Sequence, residues 1–198
     1  MVVLNSLKDP KLIELIKAKA IGVLPTDTVY GLVCLAADAQ AVKQIYSLKS
    51  RKSKPGTVIA ASIDQLTVLG IKRRYLKAVE QFWPNPISII IPVGSELDYL
   101  LEGQTGLAIR VVGNSEVRDL LIKTGPLLTT SANQPGNPPA ATIKQAQNYF
   151  KDTIDYYVDG GDLSNREPST IIKMVDDAIE LIRKGAVDIN ENGELSNR

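Results

Sequence analysis

The sequence predicts an α/β protein (α+β in its segregation of elements) built on a large twisted mixed β-sheet flanked by helices. Short apolar runs that read as buried strands recur along the chain. Between them lie stretches with helical spacing and recognisable caps. The two kinds alternate irregularly, which favours a mixed sheet over a strictly doubly wound one. With 198 residues, 44% hydrophobic and 23% charged, the chain suits one compact domain with a substantial core.

Asp9-Pro10 reads as a helix start, an N-cap followed by proline in the first turn. Leu12, Ile13, Ile16 and Ala20 follow at helical spacing. Residues 21–24 and 31–35 read as strands, and 39–48 as a helix that turns Ala41, Val42, Ile45 and Leu48 inward. A strand over 57–61 precedes Ser62-Ile63-Asp64-Gln65, a capping box for a short helix ending near Gly70. Residues 72–83 read as one helix stopped by Pro84. Strands follow over 87–91 and 107–110. Asn114 then caps a helix to Thr124, with Gly125 just past its end. Thr142-Ile143-Lys144-Gln145 opens a further helix to Phe150. Residues 156–158, 169–174 and 178–182 complete the strands, the last two as a hairpin across Asp176-Asp177. The domain is expected over 1–188, and the polar residues 189–198 as a disordered tail.

Composition removes several functional classes. A net charge of +1 creates no global field toward nucleic acid or membrane, so a basic site must be local. No apolar run reaches the ~18 residues of a membrane span, and the first residues lack the layout of a signal peptide. Cys34 is the only cysteine, which excludes an intrachain disulfide and makes the cytoplasm the natural compartment. There is no histidine, which removes Ser-His-Asp and Cys-His catalysis, the usual zinc sites and imidazole acid/base chemistry. Catalysis here must use Lys, Arg, hydroxyls, carboxylates or a hard metal ion.

The most informative segment is Pro126-Leu127-Leu128-Thr129-Thr130-Ser131-Ala132-Asn133-Gln134-Pro135-Gly136-Asn137-Pro138-Pro139. A short apolar strand runs into hydroxyl and amide side chains and then a Pro/Gly-rich loop. That pattern fills a core poorly but presents N–H, hydroxyl and amide groups to an anion at a strand end. Thr26-Asp27-Thr28 repeats the arrangement after an earlier strand, and Ser169-Thr170 places hydroxyls at a strand start. Each has a plain alternative as a turn: Asn133 as a residue that tolerates the left-handed region, Gly160-Gly161 as a simple reversal. The run 49–54 holds four cations in six residues (Lys49, Arg51, Lys52, Lys54). It will attract polyphosphate or an RNA backbone, or else it is a solvated connection. Arg110 and Arg183 lie on apolar strands, where an arginine is costly unless paired with a carboxylate or an anionic ligand. The Walker A and G-x-G-x-x-G signatures are absent.

In combination, these residues resemble the YrdC-like family, the threonylcarbamoyl-AMP synthases of tRNA modification. The matching pieces are residues 25–32 (Pro-Thr-Asp-Thr-Val-Tyr-Gly-Leu), Ile45-Tyr46 with Lys49-Ser50-Arg51, and Trp83-Pro84-Asn85-Pro86. Further matches are Leu107-Ala108-Ile109-Arg110, Thr130-Ser131-Ala132-Asn133 with Gly136, Pro168-Ser169-Thr170-Ile171, and Arg183-Lys184-Gly185-Ala186. They run in the family's order from about residue 12 to 187.

The resemblance implies a YrdC-like fold with an open, concave, basic face. It implies a nucleotidyltransferase that joins L-threonine, bicarbonate or CO2, and ATP, with Mg2+ accompanying ATP, into threonylcarbamoyl-AMP and pyrophosphate. The product would serve threonylcarbamoyladenosine formation in tRNA, reached directly or through a separate transferase complex. Lys49, Arg51, Ser131 and Asn133 are the implied catalytic residues. Thr26, Arg110 and Ser169 are implied for threonine, and Lys49, Arg51, Thr129, Ser131, Asn133 and Arg183 for the nucleotide; no metal-ligating side chains are implied. The chain looks like the short form without the additional C-terminal domain of longer relatives. It departs from the family pattern at Lys52, where many relatives carry proline. It departs again at 57–61, which lacks a histidine found in some, at Asn85 in place of glycine, and at Val111-Val112 in place of a proline. Two alternatives stand beside this reading: a non-catalytic RNA-binding module, and the carbamoyl transfer of hydrogenase maturation. The latter goes with zinc-binding cysteines that this sequence lacks.

Overall fold

The structure, a computed structural model, describes residues 1–50, 54–175, 178–190 and 192–197, with the side chains of 196 and 197 excepted. Its strands are β1 (Val2–Leu4), β2 (Gly22–Pro25), β3 (Tyr30–Leu35), β4 (Thr57–Ala60), β5 (Ile87–Ile91), β6 (Leu107–Val111), β7 (Leu127–Ser131), β8 (Tyr156–Val158), β9 (Thr170–Val175), β10 (Ala178–Arg183), β11 (Val187–Ile189) and β12 (Leu195–Asn197). The helices are α1 (Pro10–Lys17), α2 (Ala39–Leu48), α3 (Ile63–Val68), α4 (Arg73–Lys77), α5 (Ser115–Thr124) and α6 (Ile143–Phe150). Among the described residues ten strands form one sheet in the order β1-β8-β2-β3-β7-β4-β6-β5-β9-β10. The sheet is mixed: β4–β6 and β5–β9 pair in parallel, while β2–β3, β3–β7, β4–β7, β5–β6 and β9–β10 are antiparallel.

The helix starts follow from their caps. Asp9 accepts from Lys11 N at 2.9 Å, Asp38 from Ala41 N at 2.9 Å and Asn114 from Val117 N at 3.1 Å. In both capping boxes the glutamine reaches one residue further back than the cap: Gln65 accepts from Ala61 N at 2.9 Å and Gln145 from Ala141 N at 2.7 Å. The Lys19 ammonium, 2.8 Å away, and the Ala41 N–H hold the Asp38 carboxyl below its ordinary range. A carboxyl lowered in the fold stabilises above its unfolded-state pKa. That contribution is lost as pH falls through the lowered folded value.

Two apolar layers sandwich the sheet. On one face α1 and α5 bury Leu12, Ile16, Val117, Leu120 and Leu121 against Leu24, Val33, Ile59, Leu127 and Tyr156. On the other, α2, α4 and α6 contribute Val42, Ile45, Leu76, Ala146 and Phe150 against Val23, Leu32, Cys34, Val58, Ile109 and Leu128. Each fully buried Leu, Ile or Val contributes about 1.5–3 kcal/mol. Cys34 has no exposed surface, and burial pushes its thiol far above the ordinary cysteine value. The native protein is therefore expected to resist aromatic disulfide reagents, with Cys34 labelled only as the chain unfolds; rapid labelling of the native state would contradict this burial.

Two regions differ from the sequence expectation. The helix expected over 72–83 is split into α4 and a 3-10 turn over Glu80–Phe82, with Val79 between them at φ −125°, ψ 0°. Leu76, Val79 and Phe82 are all buried, and their i, i+3 spacing suits the tighter 3-10 geometry. Trp83, preceding Pro84, is extended, as the proline ring demands. In the segment 189–198, expected as disordered tail, β12 pairs antiparallel with β11. The turn expected at Asp176-Asp177 lies outside the described residues, but β9 and β10 do form the antiparallel pair.

Candidate functional site

Strand register decides which side chains share a face. Gly31 lies opposite Ser131 and Val33 opposite Thr129. Thr129 lies opposite Thr57, and Ile59 opposite Arg110. Ile89 pairs with Ile109, which sets Ser88 beside Arg110 on the neighbouring strand. Ser131, Thr129, Thr57, Arg110 and Ser88 therefore share the face that further along carries the α1–α5 layer. On β7 that face changes from Leu127 to Thr129 and Ser131, and on β4 from Ile59 to Thr57. Gly31 keeps this surface low. A Cβ there would sit 2.4 Å from Thr129 Oγ1 and 2.9 Å from Thr26 Cγ2. Gly31→Ala is expected to destabilise the protein by about 1–3 kcal/mol through overpacking; an unchanged denaturant midpoint would contradict the close approach.

Lys49, the C-cap of α2, is buried and joins the basic run to the end of β7. Its Nζ donates to Ser131 O at 2.9 Å, to Asn133 Oδ1 at 2.7 Å, and to Asn133 O. Among the described residues three acceptors thus converge on this ammonium. Ser131 Oγ also donates to Asn133 Oδ1 at 2.7 Å, and Asn133 Nδ2 donates to Asn137 O at 2.6 Å. Asn133 organises this loop through its side chain, whereas the left-handed conformation falls on Gly136 at φ 84°. Its turn role is therefore not the one the sequence suggested as the alternative. Of the residues expected at the nucleotide, Ser131 and Asn133 meet Lys49 here, and Thr129 lies two residues before Ser131 on β7. Arg51 and Lys52 lie outside the described residues.

The second cluster is built around Arg110. Its Nε donates to Asp27 Oδ2 at 3.0 Å and its Nη2 to Asp27 Oδ1 at 2.8 Å, with the two side chains only 3% and 7% exposed. This bidentate pair meets the condition under which a buried arginine is tolerated. Nη1 donates to Ser88 Oγ at 2.8 Å, and Ser88 Oγ lies 2.9 Å from Ser169 Oγ. Arg183 closes the chain, donating from Nη2 to Ser169 O at 2.6 Å and Ser169 Oγ at 3.1 Å. A bulge makes that contact possible. Register shifts between Leu181 and Arg183, so Arg183 pairs with Ile171. Regular pairing would place it opposite Thr170, on the other face.

The Thr26 hydroxyl makes the turn that was one of its two readings. It donates to Val29 O at 2.6 Å and accepts from Thr28 N at 3.2 Å, a local turn, while Asp27 between them reaches Arg110. Gly160-Gly161 is more than a plain reversal. Tyr30 OH accepts from Gly160 N at 2.8 Å and donates to Gly161 O at 2.9 Å, tying this loop to β3. Arg166 from the same stretch reaches Thr26 O at 3.4 Å. Sequence reading left Ser88, Arg166 and the pairing role of Asp27 out of the site. The only local signal was a lone serine in Ile87-Ser88-Ile89-Ile90-Ile91. Among the described residues no three His, Cys, Asp or Glu side chains gather to hold a metal, and no helix is long and apolar enough to cross a membrane.

The family model Sua5/YciO/YrdC, described as "Telomere recombination", matches residues 14–185. This chain belongs to the Sua5/YciO/YrdC family. Among relatives of this Sua5/YciO/YrdC protein, the threonylcarbamoyl-AMP synthase of Marinobacter nauticus is 36% identical over 157 residues, covering 76% of this chain and 83% of the relative. The threonylcarbamoyl-AMP synthase of Pseudomonas syringae is 32% identical over 174 residues, covering 86% and 93%. The solved structure of P. abyssi Sua5 complexed with L-threonine superposes with a TM-score of 0.83 at 26% identity. That match covers 94% of this chain, which spans 58% of the Sua5 chain.

Proposed function

We propose that this Sua5/YciO/YrdC protein is a threonylcarbamoyl-AMP synthase. It condenses L-threonine, bicarbonate or CO2, and ATP to threonylcarbamoyl-adenylate and pyrophosphate. The observation that carries the reading is the meeting of the Lys49 ammonium with the Ser131 carbonyl and Asn133 at the end of β7, the strand whose Ser131 side chain shares a face with Arg110. The names of the relatives support the same reaction.

Threonine's neutral amine adds to CO2 and releases a proton to solvent to give a carbamate, and a carbamate oxygen attacks the α-phosphorus of ATP with loss of pyrophosphate. Two anions must approach each other, so the protein's task is charge neutralisation and alignment. Lys49 and Arg51 supply positive charge to the triphosphate. Ser131, Asn133, Thr129 and adjacent N–H groups orient phosphate oxygens, and Arg183 holds the nucleotide. Thr26, Arg110 and Ser169 receive threonine. Mg2+ enters as part of MgATP: it prefers phosphate and water oxygens, and both oxygens of Asp27 already serve Arg110. A neutral threonine amine is nucleophilic without a histidine base. The product feeds threonylcarbamoyladenosine formation in tRNA, in the cytoplasm, directly or through a separate transferase complex.

Pyrophosphate release from MgATP separates this reading from an RNA-binding module. Release is expected only when threonine and bicarbonate are both present. Release that ignores threonine, or none with all substrates supplied, would overturn the synthase reading.

A further inference from the structure

We infer that Asp27 and Ser88 are positioning residues that preset Arg110 and Ser169 for the amino-acid substrate; this rests on the synthase reading above. Asp27 takes the Nε and Nη2 side of the guanidinium at 3.0 and 2.8 Å, and Ser88 takes Nη1 at 2.8 Å. A guanidinium carries five N–H groups. With three engaged, two remain for a ligand, one each on Nη1 and Nη2. The plane of Arg110 is thereby fixed before any ligand arrives, and its charge is balanced by Asp27, so it offers directed hydrogen bonds without drawing the polyphosphate away from Lys49.

Ser88 does a second job. It has no exposed surface and stands 2.9 Å from Ser169 Oγ. Its single proton lies either toward Ser169 or elsewhere, but Arg110 Nη1 must donate to it. Ser88 therefore accepts from Arg110 and can donate to Ser169, whose own proton then turns outward. The chain Asp27–Arg110–Ser88–Ser169 orders the polar groups assigned to threonine, and leaves Lys49 and the Ser131–Asn133 loop to the nucleotide.

The test compares steady-state kinetics of the full chain carrying Ser88→Ala or Ser88→Thr. Ser88→Ala is expected to raise KM for threonine about tenfold while KM for ATP stays within about twofold, the loss of about one hydrogen bond's worth of binding. Ser88→Thr restores the hydroxyl and is expected to bring KM for threonine back most of the way. A wild-type KM for threonine in Ser88→Ala, an equal rise for both substrates, or failure of Ser88→Thr to recover would each overturn the inference. Should Ser88→Ala not fold, Asp27→Asn provides the same comparison: it keeps the shape and loses the charge, and only a threonine-selective rise in KM supports the role. Wild-type turnover is the control. Its absence defeats the synthase reading, whereas normal wild-type turnover with unselective variants defeats only this assignment.

Discussion

Asp27→Ala is expected to lower the unfolding free energy by about 3–5 kcal/mol, the cost of leaving a buried charge without its partner. The Arg110 guanidinium would keep one side-chain acceptor, Ser88, in a site where it is 3% exposed. Urea unfolding of purified variants measures the effect, with a shifted midpoint and an unchanged slope. The double variant Asp27→Leu, Arg110→Met is expected to recover most of the loss, because apolar residues of similar volume often replace a buried ion pair without penalty. The same double variant is expected to lose threonine turnover. Stability and function separate in that pair: the fold tolerates grease there, and the reaction does not. A loss below about 1 kcal/mol in Asp27→Ala, the range of exposed pairs, would contradict the burial of the pair.

Lys49→Ala is expected to reduce adenylate formation by about 10²–10³-fold, the scale of losing one preorganised electrostatic contact to a transition state. The change also strips a donor from Ser131 O, Asn133 O and Asn133 Oδ1. A stability loss of about 1–3 kcal/mol accompanies it, which leaves the protein folded. Lys49→Arg is expected to rescue little, because the three acceptors converge on a compact ammonium that a planar fork cannot replace. Arg51→Ala is expected to impair the same step while the protein stays folded. Initial rates at saturating threonine and bicarbonate measure both. Wild-type rates in Lys49→Ala would remove its role in the reaction.

Legibility followed the range of the interactions. Asp9, Asn114 and Thr142 act within three residues of themselves, so their helices could be read with accurate starts. The 72–83 segment misled because i, i+3 apolar spacing serves an α-helix and a 3-10 turn alike. The pairing of β12 with β11 depends on a contact that polarity alone does not announce. Lys49, Ser131 and Asn133 were singled out separately as a basic run and a hydroxyl-amide loop, and their meeting is tertiary. The Asp27–Arg110 pair spans 83 residues of sequence. Its logic, that a strand arginine requires a partner, was visible, but the partner was not. Ser88 and the bulge that turns Arg183 toward Ser169 act through strand register, which a sequence pattern leaves open.

The most direct test is mass spectrometry of the product formed from MgATP, isotopically labelled bicarbonate and each amino acid in turn. A threonine-derived carbamoyl-adenylate that carries the label, with pyrophosphate and without comparable products from other amino acids, is the predicted result. An adenylate lacking the bicarbonate carbon, or no nucleotide product under conditions where the protein is folded, would contradict the proposal that this polar face joins a carbamate to ATP.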